Sequence, residues 1–193
     1  MKIHLLPSDS LRLPVAQLVC CILLALPCVA QPPPPGHDIP TSTAAGTVVD
    51  YKRLVPLLPE APPDWKAEEA EGSTEEMDEA QLSSVHRDYQ KGESDDAPTT
   101  SISILDSAAN PEYVESTKAA WNLTETTSDG YTKPVTIEGM PGFETFENER
   151  QHGTLWLLVA KRYFLQIETT GQEAKDLQTW LKRIDLKKLA EIK

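Results

Sequence analysis

Thiols are what this chain has least use for. Its three cysteines, Cys20, Cys21 and Cys28, all fall in the first 30 residues. A chain relieved of that stretch has no disulfide framework, no thiol nucleophile and no thiolate metal site. Histidine is nearly as scarce. Of the 4 in the sequence, only His86 and His152 stand beyond residue 48. No His-x-x-x-His or Cys-x-x-Cys spacing occurs, so no zinc site and no cofactor is expected. Gly-x-Ser-x-Gly is missing, which removes the nucleophile elbow of the α/β-hydrolases. Gly139-Met-Pro-Gly142 lacks the Lys-Ser/Thr of a phosphate loop and does not lead into a helix. Glu68 to Glu79 is acidic but has neither the alternation nor the placed glycine of an EF-hand, and reads as a solvated face or loop.

Positive charge is also in short supply, with 18 basic against 30 acidic residues and a net charge of −12. Such a surface repels nucleic acid and anionic lipid. The run from Val15 to Ala30 is shorter than the ~20 residues that span a bilayer. With Lys2 and Arg12 before it and Gln31-Pro-Pro-Pro-Pro35 behind, it reads as a signal peptide over residues 1–30. Cleavage takes away Lys2, Arg12 and Asp9, leaving the rest one unit more acidic. The predicted address is periplasmic or secreted, with no stable membrane insertion once the leader is gone. Residues 31–48 read as a Pro-rich disordered linker and residues 49–193 as a single α+β domain.

That domain is organised around its last quarter. Thr154 to Ala160 and Tyr163 to Thr169 are strand-length apolar runs interrupted by Lys161-Arg162, the pattern of a β-hairpin. The first run is apolar on both alternating sets, so it should be covered on both sides. Thr170 with Glu173 fits a capping box, and Leu177, Trp180, Leu181 and Ile184 follow at helical spacing. Upstream, the prolines of Leu54 to Trp65 forbid a regular element and suggest an entry segment packed on the domain. Gln81 to Gln90 and Thr100 to Ile104 alternate as strands. Asn110-Pro111 opens a helix that runs to about Trp121. Tyr131 to Glu138 and Phe143 to Asn148 complete the strands, with Pro134 marking an edge or a bulge. Asn122-Leu-Thr124 has the pattern of a glycosylation sequon. The expected architecture is an antiparallel sheet of about six strands packed with two main helices, an α/β/α sandwich.

No catalytic constellation emerges from these residues. Trp65 and Trp121 are candidate walls of a ligand groove between sheet and helix. Lys161, Arg162, Lys182 and Arg183, continued by Lys187 and Lys188, are candidates for docking an acidic partner surface. Cations near a helix end equally complement its dipole.

Several segments together resemble a set of small exported bacterial domains of unknown function. They are Leu54-Val-Pro through Pro-Pro-Asp-Trp65, Ser128-Asp-Gly-Tyr131, Ile137-Glu-Gly-Met-Pro-Gly-Phe143, Ala160-Lys-Arg-Tyr-Phe164 and Ile184-Asp-Leu-Lys-Lys-Leu-Ala190. The chain is also loosely similar to the PsbP-like fold, which includes photosystem extrinsic proteins and a nuclear-import factor that binds the GTPase Ran. That resemblance implies a binding or assembly factor and carries over no functional residue. The leading expectation is a non-enzymatic exported protein that binds or stabilises an envelope protein. A small-ligand carrier is the alternative, and a hydrolase using His86 or His152 the third.

Overall fold

The computed structural model describes residues 46–77 and 80–193. The expected signal peptide and all of the expected linker but its last three residues lie outside them, as do Asp78 and Glu79 of the acidic run. Attachment begins before residue 49: Gly46 N–H donates to Ala108 O at 3.0 Å, and Val48 is buried.

The strands are β1 Trp65–Ala67, β2 Glu71–Met77, β3 Ala80–Lys91, β4 Thr99–Asp106, β5 Glu125–Thr126, β6 Gly130–Ile137, β7 Met140–Glu147, β8 His152–Val159 and β9 Tyr163–Thr170. The helices are α1 Pro111–Ala120, α2 Ala174–Leu181 and α3 Leu186–Glu191, with two 3-10 turns at Tyr51–Arg53 and Val55–Leu57. All nine strands form one antiparallel sheet in the order β1-β3-β4-β9-β8-β7-β6-β5, and β2 also pairs with β3. β1 and β2 divide the same edge of the long β3 between them. From β4 the chain passes through α1 to the far edge, then returns by successive hairpins until β9 pairs with β4.

The expected sandwich of about six strands and two main helices is therefore wrong. The sheet has nine strands, and the helices are short, with 10, 8 and 6 residues. The missed strands are β1, β2 and β5. Glu71-Gly-Ser-Thr-Glu-Glu-Met77 carries no apolar alternation because it is an edge strand, and charge on an edge deters pairing with other chains. The helical spacing from Leu177 to Ile184 is interrupted after Leu181, and Asp185 caps a separate helix by accepting from Lys188 N–H. The capping box lies three residues later than expected. Glu173 is the N-cap and Asp176 its partner, because Thr170 is still in β9 and Gly171 turns with φ +68°.

The two faces of the sheet are covered unequally. Val85, Tyr89, Ile102, Ile104, Leu155, Leu157, Leu165 and Ile167 point to the roofed face, under α2, α3 and the turns at residues 51–57. Leu157 is 0% and Trp180 3% exposed, each such side chain contributing roughly 1.5–3 kcal/mol by burial. Trp180 lies over Tyr89, ring centroids 4.8 Å apart, and its Nε1–H donates to Gln172 Oε1. Tyr89 Oη donates to Pro59 O at 2.7 Å, which pins the proline-rich entry segment to the sheet. Tyr163 Oη does the same for the C-terminus through Ile192 O.

Among the described residues the outer face carries only α1, seated over one end. There Val114 packs with Leu158 and Phe164, the side of the apolar hairpin that the roof does not cover. Asn110 makes no capping bond to the helix; its amide donates to Gln81 O instead. Beyond α1 the outer face shows Trp156, Phe143, Thr154, Gln166 and Ser103, paired across strands in the register Phe143↔Trp156 and Trp156↔Gln166.

Candidate functional site

Trp65 and Trp121 lie on opposite faces. Trp121 packs edge-on against Phe164 on the outer face, centroids 6.0 Å apart. Trp65 belongs to the roofed side, edge-on to Trp180 at 5.0 Å. Trp65 lines a cleft between sheet and helix. That cleft has a volume of about 510 Å³, within the usual range for small-molecule sites. Pro62, Pro98 and Trp180 supply apolar wall, and Lys91, Lys175, Arg183, Glu173 and Asp176 supply charge.

The four predicted cations do not make one patch. Val159, Ala160, Lys161 and Arg162 form the tight β8–β9 turn, closed by Arg162 N–H to Val159 O. Ala160 and Lys161 both take positive φ, +52° and +56°, the mark of a type I′ turn whose twist matches the strands. Lys161 stays exposed. Arg162 turns inward: its Nε and Nη2 donate to the two oxygens of Asp106, and Nη2 also to Thr47 O. Asp106 is wholly buried and further accepts from Val49 N–H and Ala108 N–H. Its hydrogen bond to Asp106 holds the Arg162 pKa above the usual guanidinium value, so this cation is committed to the fold. Lys182 and Arg183 are exposed after α2 but line different clefts, Lys182 beside Ile137, Glu138 and Lys187 and Arg183 beside Trp65.

The two histidines do not meet either. His86 on β3 stands 3.7 Å from Glu71, and His152 on β8 bonds Glu168 at 2.8 Å. β4 and β9 separate their strands. Both are partly exposed pairs of the kind that contributes little to stability. Among the described residues, no group of three or more His, Cys, Asp and Glu could hold a metal ion. No described helix is long and apolar enough to cross a membrane.

Two carboxylates to which the sequence alone assigns no role both had a signal. Asp106 continues the inward set Ile102 and Ile104. Glu144 lies in the inward set of Gly142 and Phe146. An acid in an apolar alternation implies a buried partner. Glu144 accepts from Tyr131 Oη at 2.5 Å and Gln178 Nε2 at 3.1 Å, with Lys133 Nζ at 3.3 Å. It thereby joins β6, β7 and α2. Burial, helped by the bond to Glu144, holds the Tyr131 phenol well above its usual ionisation range. Gln178 ties α2 to the sheet while Tyr131 and Lys133 tie β6 to β7, so the cluster is an architectural joint.

Large exposed apolar side chains among the described residues are confined to Tyr113, 48% exposed, and Leu123, 54% exposed, on and just beyond α1. Tyr113 leans edge-on against Phe164, centroids 5.3 Å apart. No protein-family model, curated protein or solved structure matches the chain.

Proposed function

We propose that this is an exported, non-enzymatic protein that binds or stabilises a protein partner in the cell envelope, using the outer face of its sheet at and beside α1. The observation that carries this reading is where apolar surface is left uncovered. Among the described residues one face is roofed, whereas the other is crossed only by α1, which carries the exposed Tyr113 and is followed in the chain by the exposed Leu123. Exposed apolar area gathered in one region is what a protein interface uses, with aromatic side chains as anchors. Export is supported by the leader over residues 1–30, the periplasm or the exterior being the address it implies. The test is a Tyr113→Glu, Leu123→Glu double substitution in the full chain. It should abolish co-purification with the envelope partner while leaving the urea unfolding midpoint in place. Co-purification that survives the change refutes docking at α1.

A second reading is a small-ligand carrier, favoured by the cleft beside Trp65. A ligand there should alter tryptophan emission in the parent chain and not after Trp65→Phe. A broad panel that leaves the emission unchanged counts against it.

A further inference from the structure

Resting on the carrier reading, we infer that the Trp65 cleft is selective for anions that carry a flat apolar body. Its aromatic wall is the perpendicular pair Trp65 and Trp180, 5.0 Å between centroids. A cation flanks each indole. Lys91 is the cross-strand neighbour of Trp65, so both side chains leave the sheet on the same face. The Arg183 guanidinium lies 6.0 Å from the Trp180 ring. The acids of the cleft are already engaged. Glu173 and Asp176 hold the two halves of the capping box, and Glu173 also holds Lys175 at 2.5 Å. Gln172, between them and the tryptophans, is saturated by Thr99 O, Thr100 Oγ1 and Trp180 Nε1–H. Among the described residues, Lys91 and Arg183 have no carboxylate within ion-pair distance.

Charge therefore decides which occupant fits. On a chain of net charge −12, two uncommitted cations beside an indole pair form a local exception. A sulfonate or carboxylate can meet them while its aromatic part lies against Trp65, Pro62 and Pro98. An uncharged analogue gains only the apolar contact, and a cation meets repulsion. Both cations are exposed, so each contact to a bound anion is charge-assisted but screened by solvent, and selectivity needs the two together.

The test uses two dyes, anilinonaphthalene sulfonate and the uncharged N-phenylnaphthylamine, titrated into the full chain and followed by dye fluorescence and tryptophan quenching. The sulfonate should saturate at one site, and Lys91→Gln with Arg183→Gln should weaken it about tenfold, the effect of ~1.4 kcal/mol. The same pair of changes should leave the uncharged dye's affinity where it was. Trp121→Phe, on the other face, should change neither titration. If both dyes bind equally and the double substitution has no effect, anion selection is overturned while the carrier reading stands. If neither dye binds, both readings fall. If Trp121→Phe removes the sulfonate, the dye sits on the outer face and the assignment to this cleft is overturned. Unchanged circular dichroism and urea midpoints confirm that each variant is folded.

Discussion

Arg162 grips Asp106 at two points, Nε to Oδ1 at 2.8 Å and Nη2 to Oδ2 at 2.7 Å, across 56 positions of sequence. The pair ties the β8–β9 turn to the end of β4, and through Val49 N–H it ties the incoming chain to both. Removing one partner strands the other. Arg162→Ala leaves a fully buried carboxylate with two backbone donors and no cation, and should cost about 3–5 kcal/mol. Arg162→Lys keeps the charge but loses the fork, and should recover part of that loss. Urea unfolding of the two variants measures this, and a change below about 1 kcal/mol for Arg162→Ala would contradict it. It also bears on function, because lost partner binding in an Arg162 variant reports unfolding first.

Tyr89 makes alkaline pH a probe of the roof. Burial, outweighing the opposing pull of Arg87, pushes its pKa from 10.0 up to about 12. The folded state thus keeps a proton that the unfolded state releases near pH 10. The stabilisation is complete below pH 10 and is lost as the pH climbs towards 12. Tyr131 and Tyr163 are raised in the same direction, each chiefly by burial. Stability measured from pH 9 to 12 should fall, and Tyr89→Phe should make that fall shallower by about one proton per molecule. An identical slope in the variant contradicts the assignment.

Glu71, Glu75 and Glu76 give the edge strand β2 its charge, in a run that the sequence offered as a solvated face or loop. If that charge keeps the edge from pairing with other chains, replacing all three by Thr should leave the fold intact and promote self-association. Light scattering and size-exclusion chromatography over a concentration series would detect it. A triple variant whose association state matches the parent's removes this role from the acidic run.

The sequence was legible where burial and periodicity agreed. Leu155, Leu157, Leu165 and Ile167 announced the central hairpin because a strand buried on both sides cannot hide its composition. β2 was illegible because an edge strand facing water needs no apolar pattern. β5 has two residues and cannot show one. The end of α2 was obscured because Ile184, beyond the helix, keeps the spacing of Leu177 and Leu181 and is buried beside them. The cationic candidates could not be told apart for another reason. Lys161 and Arg162 are adjacent in sequence, but only the chain fold tells which of the two meets a buried acid. Trp65 and Trp121 looked equivalent as residues and were separated by the sheet itself.

The central functional claim concerns the outer face, and site-specific photo-crosslinking in living cells tests it most directly. A benzophenone side chain is placed at Tyr113 on α1 or at Leu123 just beyond it, or at Lys187 or Glu191 on the roof, one per chain. The account predicts a discrete adduct of one envelope protein from the first two positions and none from the second two. Adducts confined to the roof positions, or no adduct from any of the four, would contradict it.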